Sequence, residues 1–121
     1  MIVLAWLACG PNEPPVPTWE ADIGPLVEAR CAHCHVDEDT GAPYLELDEE
    51  PYDNLVDQPT VENPTMPYVT PGDRYLSYMY HKVNATQTLS GGSGTSMPFG
   101  SPLDESDVEL IGAWIDGGAL P

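Results

Sequence analysis

Five consecutive residues, Cys31-Ala32-His33-Cys34-His35, constrain this chain more than any other feature. Two thiols three positions apart, followed at once by an imidazole, put three soft or borderline donors within one turn of backbone. The rest of the chain is poorly supplied with apolar bulk. Hydrophobic residues make up 41% of it and there is one Phe. A core built from these side chains alone is thin, and domains in that position recruit disulfides, a metal or another non-protein core element. With 121 residues there is room for one domain and little more.

Three chemistries use such a pentapeptide. The thiols can reach two vinyl groups on one edge of a porphyrin, after which the next residue swings its imidazole beneath the iron; this is the pattern of covalent c-type haem attachment through Cys31 and Cys34, with His35 as a ligand. A zinc site wants four ligands, usually from two separated pairs; no second Cys pair exists, although His33 and His35 keep that alternative open. A dithiol redox centre expects a βαβ setting, and no strand pattern of that kind is visible. An incidental pair of thiols in an exported chain would close into a strained disulfide. Haem is the expected occupant, one per chain, and its apolar bulk would fill the missing core.

An iron that only exchanges electrons takes a sixth ligand. The candidates are Met66, Met79, Met97, His33 and His81. Met97 is favoured because it ends the run Gly91-Gly92-Ser93-Gly94-Thr95-Ser96 and precedes Pro98, in a stretch of about 20 residues without secondary structure, and such loops tend to be functional. The approach is small and flexible, and the proline behind it is stiff. Met66 has the same Met-Pro pairing and is the runner-up. Met79 lies on the apolar face of a predicted helix and is expected to pack there; His33 is expected to face solvent.

The remaining pattern is helical. Thr18 is a good N-cap for a helix to Arg30, with Trp19, Ile23, Leu26 and Val27 on one face and Pro25 as an interior irregularity. A short helix is expected from Pro51 to Val56. A third is expected from Asp73 to Val83, with Leu76, Met79, Tyr80 and Val83 in phase. A fourth follows Asp104, carries Val108, Leu110, Ile111, Trp114 and Ile115 inward, and ends at Gly117-Gly118. No run alternates with period two, so the expected class is all-α, three to five short helices with long loops.

The N-terminus reads differently. Ile2 to Ala8 is an apolar run ending in Leu7-Ala8-Cys9-Gly10, which resembles the lipobox of a bacterial lipoprotein signal. That resemblance implies cleavage before Cys9 and a lipid on its sulfur. Two features depart from the pattern: the apolar run is short, and no Lys or Arg precedes it. The expected organisation is a signal segment over 1–8, a lipidated Cys9 with a Pro-rich tether over 9–17, and a domain over 18–121. The prolines would extend the tether into a semi-rigid spacer of about 25 Å. Seven apolar residues cannot span a bilayer, which takes about 20, so attachment would be by lipid. The domain is then expected outside the cytoplasm, on the periplasmic side of a membrane or at the cell surface.

Charge narrows the partners. Twenty acidic residues against three basic ones give a formal charge of −17. Such a surface repels phosphate backbones and anionic membranes, which excludes nucleic acid and docking through a basic patch. It suits solubility, or steering toward a redox partner with a basic docking surface.

Taken in order, Asp22-Ile23, the CxxCH, Tyr52-Asp53-Asn54-Leu55-Val56, Pro71-Gly72-Asp73, Ser77-Tyr78-Met79-Tyr80, Ser96-Met97-Pro98 and Leu110-Ile111-Gly112-Ala113-Trp114-Ile115-Asp116 resemble the small mono-haem cytochrome c domains of the class I type, particularly those of bacterial lipoproteins. The resemblance spans Trp19 to Pro121. It implies helices wrapped around one haem, His/Met axial ligation, and a crossing of the first and last helices where Ile23 and Leu26 meet Ile111 and Trp114. It also implies a carbonyl near Pro43 that orients the histidine ligand. Leu45, Leu47, Leu55 and Val56 are candidates to cover a haem face, and Arg30, Arg74, Lys82 and the tyrosine hydroxyls are candidates for its propionates. The expected activity is transfer of single electrons by a carrier rather than an enzyme. The alternatives are a haem-based gas or peroxide sensor or small enzyme with an open iron position, and a zinc-stabilised lipoprotein with no redox role.

Overall fold

The computed structural model describes residues 15–36 and 45–121. Cys9, the signal segment, most of the tether and Pro43 lie outside the described residues. Thr18 caps the first helical segment: its hydroxyl accepts from the Ala21 N–H at 3.2 Å, and the Asp22 carboxylate accepts from the Thr18 N–H at 3.1 Å. The first turn, Trp19–Ile23, is π-helical, and the regular helix α1 follows over Gly24–Arg30. Pro25 accounts for the change of pitch. It has no N–H to donate, and the wider turn ahead of it relieves the clash of its ring with the preceding carbonyls.

Helix α2, Pro51–Leu55, starts on a proline that needs no N–H partner. Beyond it the chain runs extended and doubles back, making a parallel bridge between Val56 and Val69 and an antiparallel one between Pro59 and Pro67.

The helix expected over Asp73–Val83 is two pieces. Asp73 accepts from the Tyr75 and Leu76 N–H groups and starts a 3-10 turn, Arg74–Leu76; Ser77 is extended; helix α3 then covers Tyr78–Val83. The break has a physical cause. The Tyr78 and Met79 N–H groups donate to the carbonyls of Pro67 (2.9 Å) and Tyr68 (2.9 Å), so the doubled-back segment replaces the preceding helical turn as their acceptor. The Ser77 hydroxyl meanwhile donates to the Asp73 carbonyl at 2.8 Å. Leu76 is consequently exposed, not on the apolar face, whereas Met79 and Tyr80 are buried.

Helix α4, Glu105–Asp116, begins where Asp104 predicts, but through the Asp104 carbonyl, which accepts from Asp107 and Val108; its carboxylate makes no capping bond. The chain reverses at Gly118 (φ 104°), and Ala119 follows in the left-handed region. That reversal brings the Leu120 carbonyl to the Trp19 N–H (2.8 Å) and the Trp114 indole N–H (2.9 Å), and the Ala119 carbonyl to the Tyr52 hydroxyl (2.7 Å). The Trp19 and Trp114 rings lie 5.6 Å apart. The last helix therefore packs on the π-helical turn, with Ile23, Val27, Leu55, Ile111, Trp114 and Ile115 closed from solvent beneath it. Apart from the two bridges, regular structure among the described residues is helical. No described helix is long and apolar enough to cross a membrane.

Candidate functional site

A cavity of about 900 Å³ is bordered by Cys31, Cys34, His35 and Met97 together. The end of α1 supplies the first group. Its last hydrogen bonds, Cys31 N–H to Val27 (2.9 Å) and Ala32 N–H to Val27 (3.0 Å), tighten the chain into a turn across Cys31–Cys34. That turn sets Cys31 half-buried, Cys34 exposed, and both at the cavity with His35. The thiols are free. Burial pushes the Cys31 thiol up to about 11, with Arg30 opposing.

His35 is oriented by a backbone carbonyl ten positions on. Its Nδ1 lies 2.8 Å from the Leu45 carbonyl oxygen. A carbonyl can only accept, so Nδ1 carries the proton and Nε2 keeps its lone pair. Backbone reinforces the pairing, because the Leu47 N–H donates to the His35 carbonyl at 2.7 Å. The orienting oxygen thus belongs to Leu45 among the described residues, two positions beyond the expected Pro43.

Met97 also borders the cavity, on the loop between α3 and α4. Met66 does not line the cavity; it is half-buried against the core. Met79 packs in the core and also reaches the cavity wall. His33 stands exposed at the rim. His81 is committed elsewhere, with Nδ1 2.7 Å from the Thr86 hydroxyl and Nε2 2.7 Å from the Tyr75 carbonyl.

The remaining wall is mostly apolar. Leu45, Leu47 and Leu55 contribute as expected; Val56 instead pairs with Val69. Of the three basic residues, Arg30 and Lys82 are at the cavity, and Arg30 also donates to the Ser101 carbonyl at 2.8 Å. Arg74 is not. It lies against α4, 2.8 Å from Glu109 and 2.7 Å from Asp116, which raises its own pKa and holds the Glu109 carboxyl below its ordinary value. Among the tyrosines, Tyr68 and Tyr78 reach the cavity, and burial with the nearby Glu62 carboxylate pushes both up to about 12.

The loop carrying Met97 is more tightly held than its Gly/Ser composition suggests. Lys82 donates to the carbonyls of Ser93 (3.1 Å) and Thr95 (2.8 Å), Gln87 to that of Gly94 (3.2 Å), and the Met97 N–H to the Lys82 carbonyl (2.9 Å). Side chains outside the run from Ser93 to Met97 thus hold three of its carbonyls. The sequence holds no local signal for that, since Glu62, Tyr78 and Lys82 look like ordinary polar and core residues there.

Among the described residues no three His, Cys, Asp or Glu side chains converge as a metal-holding group. Comparison with family models, curated proteins and solved structures finds no match to this chain.

Proposed function

We propose that this chain is a mono-haem c-type cytochrome that passes single electrons between partners outside the cytoplasm. One observation carries the reading: Cys31, Cys34, His35 and Met97 border a single, largely apolar cavity of about 900 Å³, toward the upper end of the roughly 300–1,000 Å³ typical of cofactor sites. Two thiols for thioether bonds, an imidazole with a free Nε2 lone pair and a thioether are the donors that haem c takes.

When bound, haem supplies an iron that accepts and releases one electron. The protein's own groups do the rest. The Leu45 carbonyl fixes the His35 ring and its tautomer, a hydrogen bond that also raises the basicity of the ligating nitrogen. Leu45, Leu47, Leu55 and Met79 exclude water from the iron's surroundings. Met97 offers a neutral thioether, which favours the ferrous state and a higher potential. Arg30 is the basic side chain at hand for a propionate, since the Lys82 ammonium is taken up by Glu62 and the Met97 loop.

The same reading takes Cys9 as a lipid attachment and the acidic surface as a guide toward a redox partner with a basic docking face. The test is the spectrum and redox titration of protein matured with cytochrome c assembly machinery. A low-spin spectrum with the weak red iron–sulfur band and a reversible one-electron titration support it; an iron that binds carbon monoxide or peroxide without losing a ligand favours the sensor or enzyme alternative.

A further inference from the structure

Three side chains from two distant segments meet over the Met97 loop. Lys82 Nζ lies 2.8 Å from the Glu62 carboxylate, and both side chains are largely screened from solvent (13% and 23% exposed). The Tyr78 hydroxyl also donates to Glu62. Having spent its one proton there, it accepts from the Ser93 N–H at 3.3 Å. Lys82 divides its remaining protons between the Ser93 and Thr95 carbonyls. The loop is shaped to lie on this cluster. A Cβ on Gly92 would run into the Tyr78 ring and hydroxyl, and one on Gly94 (φ +76°) would stand 2.9 Å from Glu62 and 3.1 Å from Lys82. Lys82 then takes the Met97 N–H on its own carbonyl at 2.9 Å.

We propose that Glu62, Lys82 and Tyr78 form a latch that fixes the Met97 loop over the cavity, making them positioning residues for the thioether. The cluster explains why a run of glycines and serines adopts one arrangement. Without the cluster, the Ser93 N–H and the Ser93 and Thr95 carbonyls would turn to water, and the entropy of that freedom opposes a fixed thioether. A charge-assisted cluster screened from solvent holds them far better than exposed polar contacts would. The glycines allow the backbone to come close enough for it to do so.

The inference rests on the function proposed above, and the test separates the two. Full-length holoprotein carrying Lys82→Met, Glu62→Gln or Lys82→Arg is compared with unaltered protein and with Arg74→Met, which breaks ion pairs on α4, away from the cavity. Cyanide must displace Met97, so its association rate reports loop opening; amide exchange of Met97 reports it without reference to iron. Lys82→Met and Glu62→Gln are expected to accelerate both by about tenfold or more, the loss of one charge-assisted hydrogen bond. Lys82→Arg should recover most of the effect, and Arg74→Met should lower the melting temperature without moving either rate. Rates in Lys82→Met and Glu62→Gln that match those of Arg74→Met overturn the latch. If unaltered protein lacks the iron–sulfur band, the ligation reading fails and the Met97 exchange rates alone decide the latch.

Discussion

The Nδ1 of His35 and the carbonyl oxygen of Leu45, ten positions on in the sequence, lie 2.8 Å apart, and this contact fixes which nitrogen of the ring carries the proton. An imidazole so held cannot be replaced by a small side chain without leaving one axial position to water. His35→Ala is therefore expected to keep haem covalently attached through Cys31 and Cys34 while converting the spectrum from low spin to high spin. The absorption spectrum of the purified variant checks this.

Met97 and Met66 precede prolines in similar settings, yet only Met97 borders the cavity. Met97→Ala is expected to abolish the iron–sulfur band, lower the potential and admit carbon monoxide or cyanide. Met66→Ala should do none of these. Its effect should be on stability, at the lower end of the roughly 2–5 kcal/mol seen for Met→Ala in cores because the side chain is only half-buried. Parallel spectra and thermal melts of the two variants separate the roles.

Gly112 faces a guanidinium rather than a helix. A Cβ there would stand 2.5 Å from Arg74, which cannot swing clear without giving up Glu109 or Asp116. Gly112→Ala should destabilise the domain by about 1–3 kcal/mol, the usual range for overpacking. In an Arg74→Ala background the same substitution should be nearly neutral, so a double-mutant cycle measured by denaturant unfolding should show strong non-additivity.

Tyr78 ionises at about 12 in the folded protein against an ordinary value of 10.0, first because it is buried and next because it donates to Glu62. Between those values the unfolded chain has lost the proton and the folded chain has kept it, so folding stability falls as pH rises through that window and is complete below it. Tyr68 adds to the same trend. Tyr78→Phe should flatten part of the alkaline loss of stability, as read from unfolding midpoints collected from pH 8 upward. An unchanged slope would show that the hydroxyl titrates freely.

How legible this was in the sequence depended on whether the deciding contacts were local. The cap at Thr18, the helix over Glu105–Asp116 and the inward face of Ile111, Trp114 and Ile115 follow from spacing within one segment. The turn that brings Cys31, Cys34 and His35 to one cavity lies within five residues for the same reason. The division at Ser77 does not, because Tyr78 and Met79 take their acceptors from Pro67 and Tyr68, ten or more residues away. Arg74 looked free to meet a propionate until α4 brought Glu109 and Asp116 beside it. The latch is the least legible part. Glu62, Tyr78 and Lys82 acquire a role only when the loop from Ser93 to Met97 folds over them, and no spacing in the chain encodes that meeting.

The central claim is that Cys31 and Cys34 hold a haem covalently, and its most direct measurement is haem content after denaturation. Protein exported through the cytochrome c assembly machinery is unfolded and extracted with acidified organic solvent, and the haem remaining on the polypeptide is counted. The account predicts about one haem retained per chain, as the one CxxCH requires, with retention weakened by Cys31→Ser and by Cys34→Ser. A colourless product, or one whose haem passes entirely into the solvent, would contradict it.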